Sequence, residues 1–88
     1  MIELRLEHTI IAYDGRVLEA FPHGQAASRY HVENINTAGI KSDKKGRQSL
    51  QIFMEGGGGF ATAPLSPEDA QQAQTLIAEI LKARPDLE

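Results

Sequence analysis

Residues 66–84 constrain this chain more than any other stretch, because they read as one long amphipathic helix at the end of a strand-rich sequence. Ser66 suits the cap, and Pro67 suits the first helical position, where its missing N–H is not needed. Asp69 stands at the capping-box spacing. Glu68 and Asp69 open the helix, Lys82 and Arg84 close it, and Pro85 stops it, all in the sense the helix dipole favours. Ala70, Ala73, Leu76, Ile77, Ile80 and Leu81 recur at helical spacing. Gln71, Gln72, Gln74, Thr75, Glu79 and Lys82 fall on the opposite side. A helix with one apolar stripe and one polar face lies on something. Burial of Leu76, Ile77, Ile80 and Leu81 is worth roughly 6–12 kcal/mol in transfer terms, as an upper bound.

What precedes the helix reads as short strands. Ile2, Leu4, Leu6, His8 and Ile10 alternate with Glu3, Arg5, Glu7 and Thr9, which predicts one strand over these nine residues, with a bulge, bend or break near Ile10-Ile11. On this pattern His8 is a partly buried strand residue. Asp14-Gly15 between Tyr13 and Arg16 predicts a two-residue type I′ hairpin, with Tyr13 opposite Arg16, Ala12 opposite Val17 and Ile11 opposite Leu18. The second arm runs from Arg16 to Phe21. Further strands are predicted at about 28–32, 35–41, 48–54 and 60–63. They are separated by Pro22–Gln25, Glu33-Asn34, the polar tip Ser42–Gly46 and the run Gly56–Gly59. The glycine run is read as a flexible link, so Gly15 is expected to need positive φ and Gly57 is not.

Short antiparallel links followed by a helix predict the α+β class, since parallel strands need crossover helices. The expected architecture is six or seven short antiparallel strands forming a bent sheet, a small sandwich or a partly open barrel. Strands cover about 2–63, and one C-terminal helix over about 66–84 caps them. At 88 residues the chain makes a single domain, 1–88, or a domain taken from something larger. It has no cysteine, so neither a disulfide nor a thiolate metal site supports it. A domain this small is marginal alone, and oligomerisation is one remaining source of stability. The first residues lack an apolar h-region, and no run has the length of a transmembrane helix, so a cytoplasmic location is expected.

Tyr13–Leu18, Tyr30–Ile35, Ser49–Phe53 and the C-terminal helix together resemble the pleckstrin-homology-like superfold, and within it the small bacterial PH-like domains. The resemblance rests on element order and hydrophobic placement over most of the chain. It implies a lipid-binding, peptide-binding or purely structural role. Phosphoinositide-binding members carry a basic cluster between their first two strands, and Glu7-His8-Thr9 offers none.

The net charge is −3. This balance weighs against nucleic acid as a partner. One window stands out: Lys41, Lys44, Lys45 and Arg47, with Asp43, carry +3 and leave −6 on the remainder. These four residues are candidates for contact with an anionic ligand, an acidic partner or a membrane surface, set against a solvated hairpin tip. Phe21, Tyr30 and Phe60 are candidates for an interface, set against filling a small core. The edges expected at residues 1–7 and 60–63 could pair with a second copy or with a peptide.

Gly56–Gly59 is not a phosphate loop, because no Gly-Lys-Ser/Thr follows and a strand takes the place of the helix. His8, His23 and His31 lack metal-ligand spacing, so no metal or cofactor is expected. Ser28, His31 and Asp14 lack a nucleophile motif, and no catalytic residue is assigned. The sequence therefore predicts a non-enzymatic interaction or assembly domain that binds a protein partner or itself. The alternative is an anion- or membrane-binding module using the loop 41–47.

Overall fold

A computed structural model describes residues 2–6, 9–62 and 64–87. The strands are β1 (Ile2–Arg5), β2 (Thr9–Tyr13), β3 (Val17–Pro22), β4 (Ser28–His31), β5 (Ile35–Ser42), β6 (Gln48–Met54) and β7 (Gly59–Ala61). A single 3-10 turn at Val32–Asn34 joins β4 to β5, and helix α1 spans Pro67–Ala83. The fold is α+β, with two antiparallel sheets in the orders β1-β2-β3-β4 and β5-β6-β7. Every neighbour pair is a meander pair. The chain therefore forms two sheets, not one bent sheet, and they share a core. Leu4, Ile11, Tyr13 and Leu18 enter it from the first sheet, and Ile35, Leu50 and Ile52 from the second. Ala73, Leu76 and Ile80 enter from α1.

The helix forms as its sequence dictates. The Asp69 N–H donates to Ser66 Oγ at 3.1 Å, and Pro67 occupies the first turn. Ala70, Ala73, Leu76 and Ile80 are buried, Ile77 is half-buried against the core, and the Gln71, Gln72, Gln74 and Thr75 side is exposed. Leu81 is only half-buried, at the margin of the stripe. The small Ala70 and Ala73 let α1 sit close to β5, β1 and β6.

Three expectations are corrected. The predicted strand over residues 2–10 is two strands. The chain reverses after Arg5, the Leu6 N–H donates to Thr9 O at 2.9 Å, and Leu4 pairs with Ile11. The reversal also shifts the phase: the inward positions are Ile2 and Leu4 in β1 but Ile11 and Tyr13 in β2, so Ile10 shares the outer face with Arg5, and the Ile10-Ile11 break in the pattern is the trace of that shift. His8 and Glu7 lie outside the described residues.

The second correction is the β2–β3 register. Tyr13 pairs with Leu18, Ala12 with Glu19 and Ile11 with Ala20. Asp14 Oδ1 accepts the N–H groups of Arg16 (2.9 Å) and Val17 (2.8 Å), which moves the turn centre to Gly15-Arg16. Gly15 has φ +100° and no non-glycine described residue has positive φ, as in a II′ turn and not a I′ turn. The predicted register would have set Arg16 against Tyr13, which is buried.

The third correction is the glycine run. Gly56, Gly57, Gly58 and Gly59 have φ of +84°, +112°, +88° and +123°. Only glycine adopts four such conformations in succession without strain. The run is a defined hairpin turn, closed by the Met54 N–H to Gly58 O at 3.1 Å and the Gly57 N–H to Met54 O at 3.2 Å.

Candidate functional site

The two sheets expose edges at β4 and β7, and these two edges flank one cleft. Tyr30 on β4 and Phe60 on β7 meet across it, with ring centroids 5.5 Å apart and planes inclined by 39°. Both rings pack on the margin of the core. Above them opens a cavity of about 500 Å³, bounded also by Thr9, His23, Gln25, Ser28 and Thr62. Among the described residues no carboxylate, ammonium or guanidinium group lines it. Its volume falls within the range of small-ligand sites.

The backbone adds hydrogen-bonding capacity. Antiparallel ladders alternate between residues bonded to one neighbour and residues facing away. The Val32 N–H donates to Arg16 O at 2.8 Å, so Tyr30 and Ser28 bond to β3, and Arg29 and His31 turn their amides to the open side. The Thr62 N–H donates to Leu50 O at 2.9 Å, and Met54 bonds to Gly58. Phe60 therefore bonds to β6, and Gly59 and Ala61 face away. Gly59 sets this geometry, because a Cβ there would lie 2.2 Å from Ile52 O. The exposed Phe53 ring stands opposite Gly59. The Leu50 N–H donates to Thr62 Oγ1 at 3.0 Å, which completes the ladder where β7 ends.

The sequence candidates are thus divided. Tyr30 and Phe60 come together. Phe21 is 40% exposed and points away from its neighbour Ala20, which borders the cleft. Ser28, His31 and Asp14 line three different depressions and are not brought together. Among the described residues no three His, Asp or Glu side chains cluster.

At the β5–β6 tip the charges are not all free. Asp43 Oδ1 accepts the N–H groups of Lys45 (2.8 Å) and Arg47 (2.9 Å), and Arg47 Nε donates to Asp43 Oδ2 at 2.8 Å. The Arg47 N–H, and after it the guanidinium, hold the Asp43 carboxyl below its ordinary pKa. Lys41, Lys44 and Lys45 remain exposed, and Arg47 serves the turn.

A second depression lies beside α1, lined by Ile2, Tyr13, Asp14, Gly15 and Glu79. Tyr13 is 3% exposed, and its buried hydroxyl has no partner among the described residues. Burial, then the charges of Asp14 and Glu79, push its pKa up. A buried hydroxyl without a partner costs about 1–3 kcal/mol. Tyr13→Phe is therefore expected to hold or raise the melting temperature. A clear fall would reveal a water-mediated bond.

Arg84 has a role that the sequence reading missed. Its Nη1 donates to Val32 O (3.0 Å) and Glu33 O (2.7 Å), and its Nε and Nη2 grip Asp86 at 2.9 and 2.8 Å. The guanidinium straps the end of α1 to the β4–β5 link. The Arg-x-Asp spacing was the available signal. Arg84→Lys keeps the charge but loses the planar fork, so it is expected to lower the melting temperature nearly as far as Arg84→Ala.

Asp86 is held low by Arg84, and Asp14 by the N–H of Val17 and then that of Arg16. Groups with lowered folded pKa stabilise above their unfolded pKa and lose that contribution as pH falls through the folded value. Stability should thus decline on acidification below about pH 4. In Arg84→Ala the decline should be shallower.

Among the described residues no helix is long and apolar enough to cross a membrane. Comparison of the chain with protein-family models, characterised proteins and solved structures finds no match.

Proposed function

We propose that this chain is a non-enzymatic, PH-like interaction domain that receives an extended, uncharged segment of a partner protein in the cleft between β4 and β7. The order of seven antiparallel strands followed by one helix supports the PH-like part of this reading. The observation that carries the binding reading is the pairing of two open strand edges around one aromatic-floored cavity. The outward amides and carbonyls of Arg29, His31, Gly59 and Ala61 supply strand-addition bonds, and the Tyr30 and Phe60 rings receive an apolar side chain. The uncharged lining disfavours a charged residue at the centre of the segment, because burying it would cost several kcal/mol.

The test uses peptides selected from a random displayed library against the intact chain. A selected peptide is expected to shift the amide resonances of Arg29, His31, Gly59 and Ala61, and to lose affinity for Ala61→Arg, in which a long charged side chain enters the mouth from an exposed position. Selected peptides that leave those four amides unmoved would refute the reading.

A second reading assigns the tip Lys41–Arg47 to an anionic ligand or a membrane surface. Its support is the exposure of Lys41, Lys44 and Lys45, and its weakness is the pairing of Arg47 with Asp43. Salt-sensitive binding to anionic vesicles, abolished by Lys44→Ala with Lys45→Ala, would favour it.

A further inference from the structure

The first sheet ends in β1 on the side away from β4. Leu6 bonds to Thr9, so by alternation Leu4 and Ile2 spend their backbone bonds on β2, and Glu3 and Arg5 turn theirs outward. The side chains of Glu3 and Arg5 stand on the solvent face, 42% and 79% exposed, while Leu4 is buried. Pairing this edge antiparallel with its own copy around a two-fold axis allows few registers. Odd offsets would set the buried Leu4 opposite an outward residue, reversing the faces. Centring on Glu3 sets Glu3 against Glu3, and centring on Arg5 sets Arg5 against Arg5. Centring on Leu4 places each Glu3 opposite the Arg5 of the other copy and Ile2 opposite Leu6. In that register the outward-facing backbone groups also oppose one another, so each Glu3–Arg5 pair exchanges both of its bonds.

From this self-complementarity we propose that the domain forms a two-fold dimer by joining β1 edges in the Leu4-centred register. The other edges lack the property. On β4 the outward positions are Arg29 and His31, which offer no opposite charge, β7 presents only Gly59, Phe60 and Ala61, and on β5 alternation from the Asp43–Arg47 bond turns Ala38, Ile40 and Ser42 outward, none of them charged. In the monomer Arg5 Nε already contacts Glu3 Oε1 at 2.7 Å, an exposed pair worth little on its own. In the dimer each carboxylate lies between two guanidinium groups, and the signs alternate around the axis. Edge pairing buries less than the roughly 1,600 Å² of a standard interface, so association is weak, concentration-dependent and salt-sensitive. The proposal goes beyond the cleft and does not depend on it, because β1 and β4 are opposite edges of one sheet.

Sedimentation velocity on the intact chain at rising concentration and low salt tests it. The mass is expected to rise from 9.6 kDa towards twice that value. Arg5→Glu or Glu3→Arg alone should move the midpoint to at least about tenfold higher concentration, because two attractive cross-strand pairs become repulsive. The exchanged double variant Glu3→Arg/Arg5→Glu should restore it. In the same series, protection of the Glu3 and Arg5 amides from hydrogen exchange should rise with concentration. A chain that stays monomeric, single reversals without effect, a double variant that fails to recover, or Glu3 and Arg5 amides indifferent to concentration would each overturn the proposal. Peptide binding at the cleft would be unaffected by any of these outcomes.

Discussion

Leu76→Asp or Ile80→Asp is expected to abolish cooperative unfolding. Both residues are fully buried, in the cluster that joins α1 to the two sheets. Large-to-small truncation at such a site costs about 2–5 kcal/mol. An unpaired carboxylate adds a desolvation penalty of several kcal/mol, and among the described residues no basic side chain is buried in this core to offset it. A chain of 88 residues has a total stability of only about 5–10 kcal/mol, so either substitution removes most or all of it. Near-ultraviolet circular dichroism during a thermal melt is the check. A sigmoidal melt close to wild type would mean that α1 does not seal the core. Gln72→Asp, on the exposed side of the same helix, should leave the melt almost unchanged.

Gly59→Ala should destabilise the domain more than Gly57→Ala. Both positions have positive φ, and that alone costs a non-glycine residue about 1–3 kcal/mol. Their surroundings differ. A Cβ at Gly57 meets nothing within 4 Å, whereas one at Gly59 would lie 2.2 Å from Ile52 O and 2.7 Å from Phe53 Cα. Those are backbone atoms of β6, so β7 must move away from the sheet. The β6–β7 bonds and the Tyr30–Phe60 contact should weaken together. Urea unfolding of the two variants measures the difference, and equal midpoints would contradict the close approach of β7 to β6. Gly15→Ala, with φ +100° and open space around it, should resemble Gly57→Ala.

The helix was legible because cap, stripe and stop signals agreed from Ser66 to Arg84, and because packing demanded what the pattern advertised. Strand β6 was legible for the same reason, with Leu50 and Ile52 inward and Phe53 outward. The reversal after Arg5 was not, since nothing in the alternation from Ile2 to Ile10 marks a turn, and the change of inward phase shows only as the Ile10-Ile11 doublet, which reads equally as a bulge or a bend. The β2–β3 register was missed because the Asp14 side chain, not the Asp-Gly dipeptide alone, sets the turn. Reading Gly56–Gly59 as flexible mistook permissiveness for motion, although a run of glycines is also what a turn made entirely of positive φ requires.

At the candidate site, Tyr30 and Phe60 could be named as aromatic candidates, but their meeting depends on how two separate sheets lie together. Local sequence does not encode that. The strap made by Arg84 was hidden for the same reason, since its acceptors Val32 and Glu33 lie about fifty positions earlier in the chain.

Native-state hydrogen exchange at single-residue resolution tests the whole arrangement most directly. The amides of Ala73–Ile80 in α1, of Ile11 in the first sheet and of Ile52 in the second should open as one unit near the global unfolding free energy. The outward amides of Arg29, His31, Gly59 and Ala61 should exchange rapidly in the free protein. If α1 exchanged long before the sheets, or if those four edge amides were protected without a ligand, there would be no shared core sealed by the helix and no open cleft beside it.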